Sequence, residues 1–107
     1  MPLINIEYDD LKISLEDARS LSEAVCGIVS KATGINDVFA YTNTAGIKIA
    51  VAPVEIFVRM SASKISNRAE LFEEIKAGLR AWKLSSGFPQ PLNFTLIPMD
   101  WQFEVGI

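Results

Sequence analysis

Val54-Glu-Ile-Phe-Val-Arg-Met60 is the stretch that decides how this chain folds. Side chains alternate across a strand, so Ile56, Val58 and Met60 share one face and Glu55, Phe57 and Arg59 the other. The pattern occurs twice. Ile4-Asn-Ile-Glu-Tyr8 falls on Ile56-Phe-Val-Arg-Met60 at an offset of 52 positions, and at that offset Lys12-Ile-Ser14 falls on Lys64-Ile-Ser66. The elements that follow each copy also agree. After Ser14, the residues Ala18, Leu21, Val25, Ile28, Val29 and Ala32 recur at spacings of three and four, the apolar stripe of a helix. Ser14 and Asp17 are spaced as an N-cap and its partner three residues on, and Gly34 stands where a glycine commonly ends a helix. The second helix starts at Ser66 or Asn67, with Asn67 and Glu70 as cap and partner, and its stripe is Leu71, Phe72, Ile75, Leu79 and Trp82. Each helix leads to a further β-like run: Val38-Phe-Ala-Tyr-Thr42 in the first half, and Asn93-Phe-Thr-Leu-Ile97, after the loop Ser85–Pro91, in the second.

Two β-α-β halves, residues of about 2–52 and 53–107, therefore make a single α+β domain. The expected architecture is a four-stranded mixed sheet with both helices on one face, a ferredoxin-like arrangement. The first strand runs from Pro2 to Tyr8 and Asp9–Ile13 is a loop. After a turn at Asn43–Gly46, Ile47-Lys-Ile-Ala-Val51 reads as a short strand or hairpin arm. Leu3, Phe39, Tyr41 and Phe57 leave the second face of the sheet without a polar character. A sheet that is apolar on both faces needs a second cover, which in so short a chain is most simply another subunit. Arg59 is assigned to that face beside Glu7, with which it is expected to form a buried ion pair.

Composition narrows the chemistry. At 107 residues, half of them apolar, the chain is long enough for a core that needs neither disulfide nor metal. A net charge of −3 supplies no electrostatic argument for nucleic acid or an anionic membrane, so neither is expected as a partner. No apolar run reaches the roughly 18 residues of a membrane span, and the N-terminus lacks the pattern of a signal peptide. The single cysteine, Cys26, fits a cytoplasmic location and reads as a small core or edge residue of the first helix. The chain has no histidine, which excludes Ser-His-Asp and Cys-His catalysis and His-containing zinc sites. The six glycines form no phosphate loop. No cofactor and no metal are expected.

Pro2 offers chemistry of another kind. Once Met1 is removed, its nitrogen is a secondary amine, a general base that requires no histidine. With Met1 in place the same nitrogen is a tertiary amide without a proton or useful basicity. Proline is also acceptable as the first residue of a strand for purely structural reasons.

Pro2 at the head of the first strand, the doubled β-α-β unit and the uncovered sheet face together resemble the tautomerase superfamily, most closely the 5-carboxymethyl-2-hydroxymuconate isomerase group. Thr44-Ala-Gly-Ile-Lys48 looks like the Ala-Gly-Ile-Arg stretch of that group, and Pro91-Leu-Asn-Phe-Thr-Leu-Ile97 like its last strand. The resemblance implies a homotrimer with active sites at subunit boundaries, a small anionic substrate, and proline as the general base. The implied reaction moves a proton in an unsaturated 2-oxo or 2-hydroxy acid. It assigns Pro2 to catalysis and Lys12, Lys48, Lys64 and Trp101 to substrate binding. Lys12 and Lys48 stand where relatives carry arginine, which keeps the charge but loses the fork that grips a carboxylate at two points. Asp37-Val-Phe-Ala40 lacks the strand arginine of the smaller tautomerases. Trp101 and Phe103 either line a pocket or pack at a subunit contact. Two other readings remain open: a non-catalytic oligomeric homologue that acts as a binding or scaffold protein, and an unrelated ferredoxin-like ligand-sensing module.

Overall fold

The structure, a computed structural model, describes all residues from Met1 to Ile107. Its elements are β1 (Leu3–Tyr8), α1 (Leu15–Thr33), β2 (Phe39–Asn43), β3 (Val54–Ser61), a 3-10 turn (Ala62–Lys64), α2 (Arg68–Ser86) and β4 (Asn93–Met99). The sheet order is β2-β1-β3-β4; the two outer pairs are parallel and the central pair, β1 with β3, is antiparallel. This is the four-stranded mixed sheet with two helices that the doubled pattern predicts.

The duplication extends to the helix ends. Ser14 Oγ accepts from the Asp17 amide and Asn67 Oδ1 from the Glu70 amide, both at 3.1 Å. Gly34 and Gly87 close the two helices in the left-handed region at φ 73° and 71°, a conformation that a side chain resists. Each helix has 19 residues. Asn67, not Ser66, is thus the second cap, one position further on than the strand repeat implies, and the 3-10 turn after β3 takes up the extra residue. Helix α2 also runs on to Ser86, into the stretch read as loop, and β4 continues to Met99.

The helices cover one face of the sheet. Ile4, Ile6, Val54, Ile56, Val58 and Met60 point beneath them and join Leu21, Val25 and Val29 of α1 and Leu71, Ile75 and Leu79 of α2 in one core cluster. Ile13 and Phe88, from the connecting segments, close its ends. Cys26 packs at the edge of this core, and burial pushes its thiol pKa up, the reverse of what a reactive cysteine needs.

Gly78 marks where the helices approach most tightly, because a Cβ there would lie 2.7 Å from Ile28 Cγ2. Ile28 is β-branched and has one strongly preferred rotamer in a helix, so it has little room to give. Gly27 has nothing within 4 Å of a built Cβ. Gly27→Ala is expected to raise stability by about 0.5–1 kcal/mol through helix propensity. Gly78→Ala is expected to lower it by about 1 kcal/mol, since overpacking outweighs the same gain. Chemical denaturation of the two variants checks the opposite signs.

Two expectations are corrected. Ile47–Val51 forms no strand: it is a bent segment with no strand partner, and Ile47 and Ile49 are exposed. Alternating apolar residues favour a pleated surface but do not supply the neighbour a strand must hydrogen-bond. Glu7 does not meet Arg59. The register pairs Arg59 with Leu3 and Glu7 with Glu55, and the Arg59 guanidinium instead donates to Asn5 Oδ1. The repeat explains this. Asn5 and Phe57 are equivalent in the two halves and face each other, so the pseudo-dyad passes between them. Glu7 and Arg59 are also equivalent, and a dyad carries an off-axis residue to the opposite end of the sheet.

Candidate functional site

Pro2 leads directly into β1 and is fully buried. Its carbonyl accepts from the Phe39 amide at 3.2 Å, which continues the β1–β2 ladder to the start of the chain. Because Leu3 pairs with both Phe39 and Arg59, Pro2 lies beside the last residues of β3. That strand runs through Met60 and Ser61 into the 3-10 turn that ends at Lys64. Strand β4, parallel to β3, finishes at the same end of the sheet, with Met99 opposite Ser61. The chain then brings Trp101 back, and its indole Nε1 donates to Ser61 Oγ at 2.7 Å. Phe103 packs edge-on against Trp101 with ring centroids 5.4 Å apart. Pro2, Lys64 and Trp101 therefore occupy one end of the sheet. Lys64 lines a cleft of about 140 Å³ there, with Met60, Ser66 and Glu70 among its walls.

Lys12 and Lys48 occupy the other end. Both lie beyond the C-terminus of β1, and six residues at about 3.3 Å each put roughly 20 Å between that end and Pro2. Neither lysine reaches Pro2 within one protomer. Lys12 is exposed in the loop before α1. Lys48 is held by Asp10 and, at 3.2 Å, by Asp9. These contacts, the one with Asp10 foremost, push the Lys48 pKa up. A second cavity, of about 470 Å³, opens here between the sheet and the segment Thr44–Ala52; Glu7, Asn43, Lys48 and Glu55 are its polar walls. Thr44 Oγ1 is buried in this wall without a hydrogen-bond partner.

Asp9 and Ser61 had no role in the reading of the sequence. Asp9 is only 6% exposed. Its Oδ1 accepts from the Leu11 amide at 3.0 Å and its carbonyl from the Lys12 and Ile13 amides, so it folds the loop that carries Lys12. Asp9-Asp10 directly after an apolar strand is the signal that was available, since such residues bond their own backbone two positions on. Ser61 continues the odd-numbered face of β3, a position that alternation alone identifies.

The Leu11 amide bond and then Lys48 hold the Asp9 pKa below the ordinary carboxylate value. A depressed carboxylate stabilises the fold fully above its unfolded pKa, about 3.9, and the contribution disappears as pH falls through the folded value. Lys48, raised, contributes fully below its unfolded pKa and loses that contribution only in strong alkali. Asp9→Asn is therefore expected to melt below wild type at pH 7, with a difference that starts to shrink only near pH 4 and closes as pH falls through the lower folded value. Thermal melts from neutral pH down through that range test the convergence.

No helix of the chain is long and apolar enough to cross a membrane. No family model and no curated protein matches the sequence. Solved structures do match the fold. The FG41 malonate semialdehyde decarboxylase inhibited by 3-bromopropiolate superposes with a TM-score of 0.70 at 20% identity, over 98% of this chain and 91% of that one. A 5-carboxymethyl-2-hydroxymuconate delta-isomerase gives 0.69 at 13% identity, over 100% and 88%. A macrophage migration inhibitory factor-like protein from Entamoeba histolytica gives 0.59 at 18% identity, over 96% and 93%. The chain has the fold of the tautomerase superfamily.

Proposed function

We propose that this protein is a tautomerase or isomerase that moves a proton in an unsaturated 2-oxo or 2-hydroxy acid, with Pro2 as general base after loss of Met1. The observation that carries the reading is the position of Pro2: buried at the head of a central strand, in a fold shared with an isomerase of this kind. Apolar surroundings disfavour the charged form of an amine, so a free Pro2 nitrogen there is a base at neutral pH. Lys64 supplies the cation at the same end for an anionic substrate, and Trp101 supplies an aromatic wall. Pro2 lines neither the 470 Å³ cavity nor the 140 Å³ cleft of the single chain. The reading therefore includes a cytoplasmic homotrimer, in which Lys12 and Lys48 of a neighbouring copy approach Pro2 at a subunit boundary. The test is turnover of a panel of unsaturated 2-hydroxy and 2-oxo acids by Met1-free protein, set against Pro2→Ala and against chain that retains Met1. If Met1 is retained in the native host, the alternative applies: an oligomeric homologue that binds or scaffolds without catalysis.

A further inference from the structure

A groove of about 380 Å³ opens in the helix layer, between the start of α1 and the end of α2. Both helix ends lie at the end of the sheet away from Pro2, because α1 follows β1 and α2 precedes β4, whose first residue stands beside Glu55. Asp17, Ser20, Trp82, Ser86 and Phe88 line the groove, and its walls carry one carboxylate and no cationic side chain. The Asp17 carboxylate has no ion-pair partner. The rings of Trp82 and Phe88 stand 5.3 Å apart at 41°. Phe88 is 7% exposed, and its amide donates to Ser86 Oγ at 3.3 Å, which fixes the segment that carries it. Trp82 is half-buried. Ser86 and Gly87, also on the wall, end α2. The carbonyls of Leu84, Ser85 and Ser86 accept no backbone N–H, and free carbonyls at a helix end carry partial negative charge.

The doubled fold supplies an internal comparison. Counted from the capping glycines, Trp82 and Phe88 of the second half are equivalent to Val29 and Ile35 of the first. The equivalent groove, between the start of α2 and the end of α1, holds only about 140 Å³ and has Lys64 on its wall. The fold therefore does not require an aromatic pair at these positions. We infer that the larger groove binds a small organic ammonium ion, which sits over the Trp82 ring with Asp17 and the carbonyl end of α2 as its countercharge. An aromatic face attracts a cation held within about 6 Å of its centroid. A helix C-terminus favours positive charge, and a carboxylate on the same wall adds to both. Ligand cavities run from about 300 to 1,000 Å³, so this one suits a free amine of a few heavy atoms. The helix layer lies opposite the sheet face left for other subunits, so the inference rests neither on the assembly nor on Pro2.

The experiment follows the two indole N–H resonances of the full chain by NMR while choline chloride is added at constant ionic strength. Trp101→Phe assigns which resonance is which. The Trp82 signal is expected to shift and saturate in the millimolar range, and the Trp101 signal, at the other end of the sheet, to stay in place. Neohexanol, the neutral isostere of choline with carbon in place of the charged nitrogen, is expected to cause no saturable shift. Asp17→Asn and Trp82→Leu are each expected to weaken choline binding by about 2-fold to 30-fold. Calorimetry reads the Trp82→Leu variant, which lacks the indole signal, and circular dichroism verifies folding of both. Asp17 is exposed and its amide still bonds Ser14 in the Asn variant, so the test does not depend on how the Leu variant folds. No saturable shift with choline overturns the inference. So does an equal shift with neohexanol, or choline binding that Asp17→Asn leaves as tight as wild type.

Discussion

Pro2→Ala in Met1-free protein is expected to lower kcat/KM by about a hundredfold to ten-thousandfold, the range in which a positioned general base contributes. Chain that retains Met1 is expected to show no proline-dependent turnover at all. The two losses differ for a chemical reason. Alanine leaves a primary amine that still titrates, but its nitrogen is no longer held by a ring packed into the end of the core. A preceding methionine turns the nitrogen into an amide, whose lone pair is delocalised and accepts no proton at neutral pH. Because the chain contains no histidine, no imidazole near the site substitutes. The rise of kcat/KM with pH is expected below about 8, where an exposed α-amino group titrates, since Pro2 is fully buried and burial favours the neutral amine. Pro2→Ala is also expected to keep its assembly and helix content, since Pro2 donates no hydrogen bond and its carbonyl bond to the Phe39 amide is retained. Undiminished turnover by Pro2→Ala, or equal turnover with Met1 in place, rejects Pro2 as the base.

The architecture was legible because it is written twice. Period-two alternation at Ile4 and Ile56, a capped helix after each, and the glycine at 34 agree with one another, and the folded chain keeps all of them. Gly87 ends α2 in the same way, although its neighbours read as loop. What the pattern did not convey is position across the sheet. Alternation assigned Arg59 and Glu7 to one face correctly, but not to opposite ends of it, because that depends on where the pseudo-dyad falls. The same geometry divides the candidate site. Lys12 and Lys64 are equivalent in the repeat and therefore lie at opposite ends of the sheet, only one of them beside Pro2. Spacing along the chain treats them alike, and the register separates them. The alternation in Ile47–Val51 is that of a strand, yet the segment stays unpaired because the two strands at the sheet edges, β2 and β4, do not receive it.

Ile56→Ala is expected to cost about 3–4 kcal/mol, within the range for truncating a buried isoleucine, and to lower the melting temperature by roughly 15–25 °C. Ile56 is fully buried on the helix-covered face. It sits in the middle of one of the two central strands, opposite Ile6 in β1 and Phe94 in β4. The core around it draws on the sheet and both helices, so the space left by three lost carbons cannot be closed by moving one flexible neighbour, and the cavity term adds to the transfer term. Against a total stability of about 5–15 kcal/mol, this is a large fraction. Ile56→Val, which keeps the branch, is expected to cost only about 0.5–1.5 kcal/mol. Thr95→Ala, next to Phe57 on the face away from the helices, removes far less and is expected to cost no more than about 1 kcal/mol, with or without a second copy over that face. All variants are compared at one protein concentration, since self-association adds to apparent stability by mass action. The ordering is the measurement that matters: if Ile56→Ala costs no more than Thr95→Ala, the face buried beneath the helices has been assigned wrongly.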